Sequence, residues 1–184
     1  MGIVQNQSIK NTIITFFGFG IGAINALFLY TNFLEKEHYG IVTTVLSFAN
    51  IMMPILAFGA QNTLIRFFSH YKTQKEKDEF LTFMLFFPLF LMVPVGVLFY
   101  LFYQPISNVW IQENPSLKPF FWIIPVVGLC MAYFEIFYAW VKVHMQSVIG
   151  NFISEVSVRL LVMALLVFVH FDLISKTTFI YSLV

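Results

Sequence analysis

Glu155 and Arg159 stand four residues apart inside an apolar stretch that runs from Val148 to Phe171. The acid precedes the base, which is the favourable order for a pair on one helix face. A charge near the middle of a membrane span costs roughly 3 kcal/mol on insertion scales, so it normally faces a partner or a water-filled cavity. Two kinds of chemistry follow. The pair can neutralise itself and serve only to make two charges tolerable. Alternatively, Arg159 can bind an anionic or polyhydroxylated substrate, because its planar fork suits phosphate oxygens and sugar hydroxyls, while Glu155 positions it. Glu135 lies in the preceding apolar run and has only Lys142, two turns on, as a partner within that run. It can exchange a proton as a cavity opens and closes, or hydrogen-bond to a neighbouring helix. Asn25 and Asn50 add uncharged polar groups inside the first and second runs.

The elements that must hold these residues are membrane helices. The chain is 59% hydrophobic and 10% charged, against roughly 25% charge in a soluble domain. A hydrocarbon core of about 30 Å needs about 20 apolar residues of helix. Such runs place spans near residues 13–33, 41–64, 80–103, 119–141 and 148–171, with a sixth beginning at Thr177 and cut off at Val184. The fold class is therefore all-α, a polytopic helix bundle; strand alternation is absent from these runs. The apolar part of the first span is too long for a secretory signal and lacks a clear small-x-small cleavage site.

Lys and Arg in the short loops orient the bundle, because they are retained on the cytoplasmic side. With the N-terminus inside, Lys10, Arg66, Lys72, Lys75, Lys77 and Lys142 are cytoplasmic and Lys36, Lys118 and Lys176 are outside. Arg66 to Glu79 then reads as a solvated cytoplasmic loop whose charge Glu76, Asp78 and Glu79 largely neutralise. Tyr100, Tyr103, Trp110 and Trp122 fall near the outer interface and Trp140 near the inner one, as anchors. Gly18, Gly22 and Ala26 recur every four residues, a small-residue face against which another helix can pack closely. Pro54, one turn after Asn50, frees a carbonyl and permits a kink; Pro88, Pro94 and Gly96 do so in the third span, which reads as scaffold.

Other function classes find little support. The net charge is +1, so no large basic surface exists for nucleic acid. Cys130 is the only cysteine, which excludes an internal disulfide framework and a multi-cysteine metal site. His38, His70, His144 and His170 are scattered near span ends without metal-ligand spacing, and no Gly-rich phosphate cradle is present. The reading is of a non-enzyme without a cofactor.

Glu37-His38-Tyr39-Gly40, just before the second span, resembles the acid-x-Tyr-Gly loop of polysaccharide flippases of the O-antigen type, within the multidrug/oligosaccharidyl-lipid/polysaccharide exporter superfamily. Gly59 to Tyr71, with Gly59, Arg66, Phe67 and Tyr71 as landmarks, is similar to the end of the second helix there, and the Asn6 to Thr12 approach is similar too. The resemblance implies the N-terminal lobe of a two-lobed bacterial inner-membrane transporter. Such a protein moves a lipid-linked saccharide to the outer leaflet by alternating access and works beside a polysaccharide polymerase and glycosyltransferases in lipopolysaccharide assembly. It implies a C-terminal lobe to complete the pathway and Arg159 and Arg66 as contacts to anionic substrate; Glu135, Glu155, Asn25 and Asn50, by their depth in the spans, are the candidate polar-cavity or coupling residues. Coupling to protons or sodium stays open. Drug-exporting relatives carry an acidic residue in the first span, whereas this chain has no carboxylate before Glu35. An ion-coupled multidrug exporter and a noncatalytic membrane assembly subunit are the alternatives.

Overall fold

The computed structural model describes residues 2–105, 107–108 and 115–183; the expected anchor Trp110 lies outside them. No strand occurs among the described residues. Among the described residues five helices are long and apolar enough to cross a membrane: Gln5–Phe33, Lys36–Ala57, Gln74–Leu101, Pro115–Val143 and Ser147–His170. Most of their large side chains face outward, as Phe16, Phe19, Phe83, Phe86 and Phe90 do. In a bilayer lipid rather than water covers such surface, so helices alone satisfy the backbone there. The protein is a multi-pass membrane protein.

The α-helices whose bounds lie wholly within the described residues are α1 (Ile3–Ile24), α2 (Tyr30–Phe33), α3 (Lys36–Ala57), α4 (Ala60–Phe67), α5 (Gln74–Leu101), α6 (Ile124–Val143), α7 (Ser147–Phe152), α8 (Val158–His170) and α9 (Lys176–Leu183). Two of the spans contain a π-helical turn, Asn25–Leu29 between α1 and α2 and Ile153–Ser157 between α7 and α8. The fourth span begins as a 3₁₀ helix, Pro115–Ile123.

Two boundaries differ from the hydropathy reading for local reasons. The second span, expected to run from Ile41 to Leu64, stops at Ala57 and restarts at Ala60. Pro54 lacks the N–H that would bond to Asn50, and at Phe58 (φ 42) and Gly59 (φ 76) the backbone turns left-handed, a region glycine enters without penalty. The segment Arg66 to Glu79, read as a loop, is largely helical. Thr73 opens α5 with a capping box: its hydroxyl accepts from the Glu76 N–H at 3.3 Å and the Glu76 carboxylate accepts from the Thr73 N–H at 3.0 Å. Helix therefore starts among charged residues, where apolar content gives no signal.

The chain divides into two compact units, one formed by Met1–Val42 with His144–Val184 and the other by Thr43–Val143. In the first, Tyr30 packs on Tyr39 with centroids 4.9 Å apart, and Phe33 stacks on His170 at 4.3 Å. Lys176 pairs with Glu35 beside them, and its hydrogen bond, with its charge, holds the Glu35 carboxyl below the usual carboxylate range.

The second unit has an apolar core in two parts. Ala60, Leu64, Met84, Ile136 and Ala139 form one; Leu56, Ala57 and Ala132 form the other, with Met52, Met92 and Leu129 around them. Gly128 sets the approach of α6 to α3, since a Cβ there would lie 3.0 Å from Met52 Cβ and 3.4 Å from the Ala49 carbonyl. Gly96 on α5 has open space around it. Gly128→Ala is therefore expected to lower thermal stability in detergent by about 1 kcal/mol through overpacking, whereas Gly96→Ala should raise it by about 0.5 kcal/mol through helix propensity. Equal melting points for the two variants would count against this packing.

Candidate functional site

The first unit places α1 alongside the fifth span, and the residue pairs that meet rise together in number along both. Gln7 Nε2 donates to the Met145 carbonyl at 2.6 Å and Asn11 Nδ2 to Ser147 Oγ at 3.2 Å. Asn151 Nδ2 reaches the Asn11 carbonyl at 3.0 Å and Thr15 Oγ1 at 3.2 Å. One turn further Gly18 faces Glu155, and then Gly22 and Asn25 face Arg159. The two helices are therefore parallel, as spans one and five must be in a chain that crosses the membrane with each span. Along the first span the contact positions are 7, 11, 15, 18, 22 and 25, in steps of four, four, three, four and three that stay on one face. On the partner they are Ser147, Asn151, Glu155 and Arg159.

The glycines make the middle of this seam. A Cβ on Gly18 would lie 2.5 Å from the Glu155 carbonyl oxygen and 2.9 Å from Arg159 Nη1, and one on Gly22 would lie 3.3 Å from Arg159 Cδ and Nε. Only a residue without a side chain admits the partner backbone at Gly18. The small-residue face read from the sequence and the ion pair read from it are thus one structure. Arg159 Nη2 bonds Glu155 Oε2 at 2.9 Å, with the side chains 33% and 27% exposed. Asn25 is 4% exposed and its Nδ2 donates to the Arg159 carbonyl at 2.8 Å.

Both π turns flank this point. Tyr30 N–H bonds back to the Asn25 carbonyl and Val158 N–H to the Ile153 carbonyl, each five residues apart. Such one-residue expansions of a helix occur disproportionately at functional positions. Two buried atoms here have no hydrogen-bond partner among the described residues, Arg159 Nη1 and Asn25 Oδ1. The site therefore holds a guanidinium fixed by one carboxylate and two glycines, with Nη1 buried and without a partner among the described residues.

The remaining candidates lie in the second unit. Arg66 is exposed near the end of α4, its guanidinium 5.7 Å from the Phe67 ring. Glu135 is half-buried on α6 without an ion pair among the described residues. Lys142, considered as its partner, sits over the Tyr138 ring at 3.7 Å instead. Asn50 is exposed on α3 and its Nδ2 donates to the Leu46 carbonyl at 3.0 Å. The structure joins Asn25, Glu155 and Arg159 and leaves Arg66, Glu135 and Asn50 on separate helices. Sequence reading missed Gln7, Asn11, Thr15, Ser147 and Asn151, although their four-residue spacing in line with Gly18 and Glu155 carries the signal.

Removing one charge of the pair strands the other. Arg159→Met is expected to cost about 2 kcal/mol of stability, between the values for exposed and fully buried pairs. Adding Glu155→Gln should recover at least half of that loss, because no uncompensated carboxylate remains. Detergent melting curves of the single and double variants measure both, and strict additivity would contradict the pairing.

A family model described as polysaccharide biosynthesis protein matches residues 5–184. No match is found among curated proteins or among solved structures. The matched range takes in the Glu37–Gly40 loop, the Gly59–Tyr71 segment and the seam from Gln7 to Arg159. The multi-pass helical chain that carries them belongs to the polysaccharide biosynthesis protein family.

Proposed function

We propose that the chain is part of a transporter that moves a lipid-linked saccharide across the bacterial inner membrane by alternating access, with its N-terminus in the cytoplasm. The observation that carries this reading is the unspent donor of Arg159 at membrane depth. A guanidinium needed only for packing could satisfy every N–H, or be replaced by an apolar residue at no cost to insertion. Here Glu155 takes Nη2 and Nη1 lies buried against Gly18 without a partner among the described residues. A diphosphate linking lipid to sugar offers the oxygens that such a planar fork binds. Nη1 is covered by α1, so substrate reaches it when α1 moves away from the fifth span. Glu155 keeps the guanidinium oriented meanwhile.

The remaining roles follow on the same reading. Arg66 is an outlying contact for the anionic group, and Asn25, Asn50 and Glu135 serve polar surfaces along the path. Catalysis has no part in it. A C-terminal lobe completes the pathway, and the saccharide lipid is supplied by glycosyltransferases and used by a polymerase. The absence of a carboxylate before Glu35 counts against an exporter of cationic drugs built on an acidic first span.

Arg159→Lys tests this without stranding Glu155, since the charge remains and only the fork is lost. Transfer of saccharide lipid across reconstituted vesicles is expected to fall about tenfold, the equivalent of one charge-assisted hydrogen bond, at unchanged protein abundance. Full transfer at normal abundance would remove Arg159 from substrate contact.

A further inference from the structure

We infer that the outward face of α3 is a subsite for the uncharged sugar rings of the cargo, an inference that rests on the transporter reading above. The helix is two-faced. Val45, Ala49 and Leu56 are buried on one side, where Ala49, Met52 and Leu56 meet Gly128 of α6. The residues exposed on the other from Thr43 to Ile55 are Thr43, Ser47, Asn50, Ile51, Pro54 and Ile55; Thr43, Ser47, Asn50 and Pro54, in steps of four, three and four, form one polar stripe beside the two isoleucines. Thr43, Thr44, Ser47, Phe48 and Ile51 line a groove of about 350 Å³ along it, within the roughly 300–1,000 Å³ of small-molecule sites.

The depth of this stripe gives it meaning. Residues 43–51 occupy the middle of a helix of 22 residues, within the part of the span that hydrocarbon surrounds. The same unit supplies a control. On α5 the exposed residues from Phe83 to Leu98 are Phe83, Phe86, Leu89, Phe90, Val93, Pro94, Val97 and Leu98, with no hydroxyl, amide or charge among them. That is the composition of a face against lipid tails. The α3 stripe carries two hydroxyls and an amide instead. Ser and Thr can return their hydrogen to their own helix, but Asn50 cannot be fully served there. Its Nδ2 bonds Leu46, no donor among the described residues reaches its amide oxygen, and Pro54 deprives its backbone carbonyl of the helical donor. Acceptors of this kind at membrane depth require water or a polar ligand.

The chemistry of the groove selects the ligand. Among the described residues its lining has no Lys, Arg, Asp or Glu, so these side chains offer nothing to a diphosphate or a cation. Hydroxyls of Thr43, Thr44 and Ser47 both donate and accept, which matches the hydroxyls of a neutral pyranose. Phe48 gives an aromatic surface for the C–H face of the ring and is itself fixed by Phe121, 6.1 Å away and edge-on.

The test uses the full-length protein in vesicles with Cys130→Ala, carrying either Ser47→Cys or Phe90→Cys, and a charged maleimide that does not cross the bilayer. Ser47→Cys is expected to react and Phe90→Cys to stay unlabelled. A polyprenyl diphosphate bearing a neutral trisaccharide, at ten times its dissociation constant, should slow labelling at position 47 about tenfold by occupancy. The same polyprenyl diphosphate without sugar should leave the rate unchanged. No labelling at Ser47→Cys would mean that lipid or another helix covers the stripe. Equal protection by both lipids, or by neither, would likewise overturn the sugar subsite. Transfer of the trisaccharide lipid in the same vesicles is scored separately: its absence with the Cys130→Ala parent would sink the transporter reading, whereas transfer without sugar-dependent protection would sink only the subsite.

Discussion

Everything in the first unit depends on the approach of α1 to the fifth span at Gly18. The partner carbonyl lies where a side chain would begin, so this contact exists only because residue 18 has none. Lipid tails are as apolar as leucine, and helices in a bilayer gain little by merely hiding hydrocarbon from it. Close packing and interhelical hydrogen bonds must hold them instead, the latter worth about 0.6 kcal/mol each on average. The seam supplies both in sequence along its length. Amides and hydroxyls join the helices from Gln7 to Asn151, glycines bring the backbones together, and Asn25 closes the far end on the Arg159 carbonyl.

The second unit solves the same problem with a different set of residues. Methionines, alanines and Gly128 interlock α3, α4, α5 and α6, and Tyr133 donates to the Leu85 carbonyl at 2.8 Å, one turn before Pro88. Little polar material is spent on holding it together. Its polar groups are displayed on the free side of α3. The two units therefore place polarity in opposite positions, one between helices and one on a surface.

Much of this was legible in the residues. The existence and order of the five spans follow from apolar length alone, because that pattern has few alternative solutions at this composition. The i,i+4 ion pair and the glycine face were each legible for the same reason: both are local consequences of 3.6 residues per turn. Their union was not, since which helix Gly18 faces is a long-range fact that spacing on one helix does not encode. The π turns at Asn25 and Ile153 left no mark either, because they answer to the partner's shape and not to local propensity. The helical start at Gln74 was hidden by its charges, although Thr73 and Glu76 spell a capping box. At Phe58 and Gly59 the break was blurred by continuous hydropathy, although Pro54 and Gly59 both announce it.

A saccharide joined to lipid through a diphosphate presents two unlike surfaces, and no one chemistry suits both. The diphosphate carries concentrated charge, and a few charge-assisted bonds in a dry setting bind it strongly. Such a setting needs a guanidinium that is oriented and partly buried, which is what Glu155 and the glycines of α1 provide for Arg159. Sugar rings carry many weak, neutral groups that exchange readily with water, so an open groove of hydroxyls beside one aromatic ring suits them, and a buried charge would hold them no better. Passage requires release as well as capture, which favours weak contacts for the larger part of the cargo and limits strong ones to a position that a helix can cover again. On the reading proposed above, Arg159 meets that condition through α1, which lies over its Nη1: the side chain proposed to bind is also a member of the seam. On that proposal, uncovering Nη1 requires α1 to separate from the fifth span, and the return of α1 would restore the seam contacts as the anion leaves.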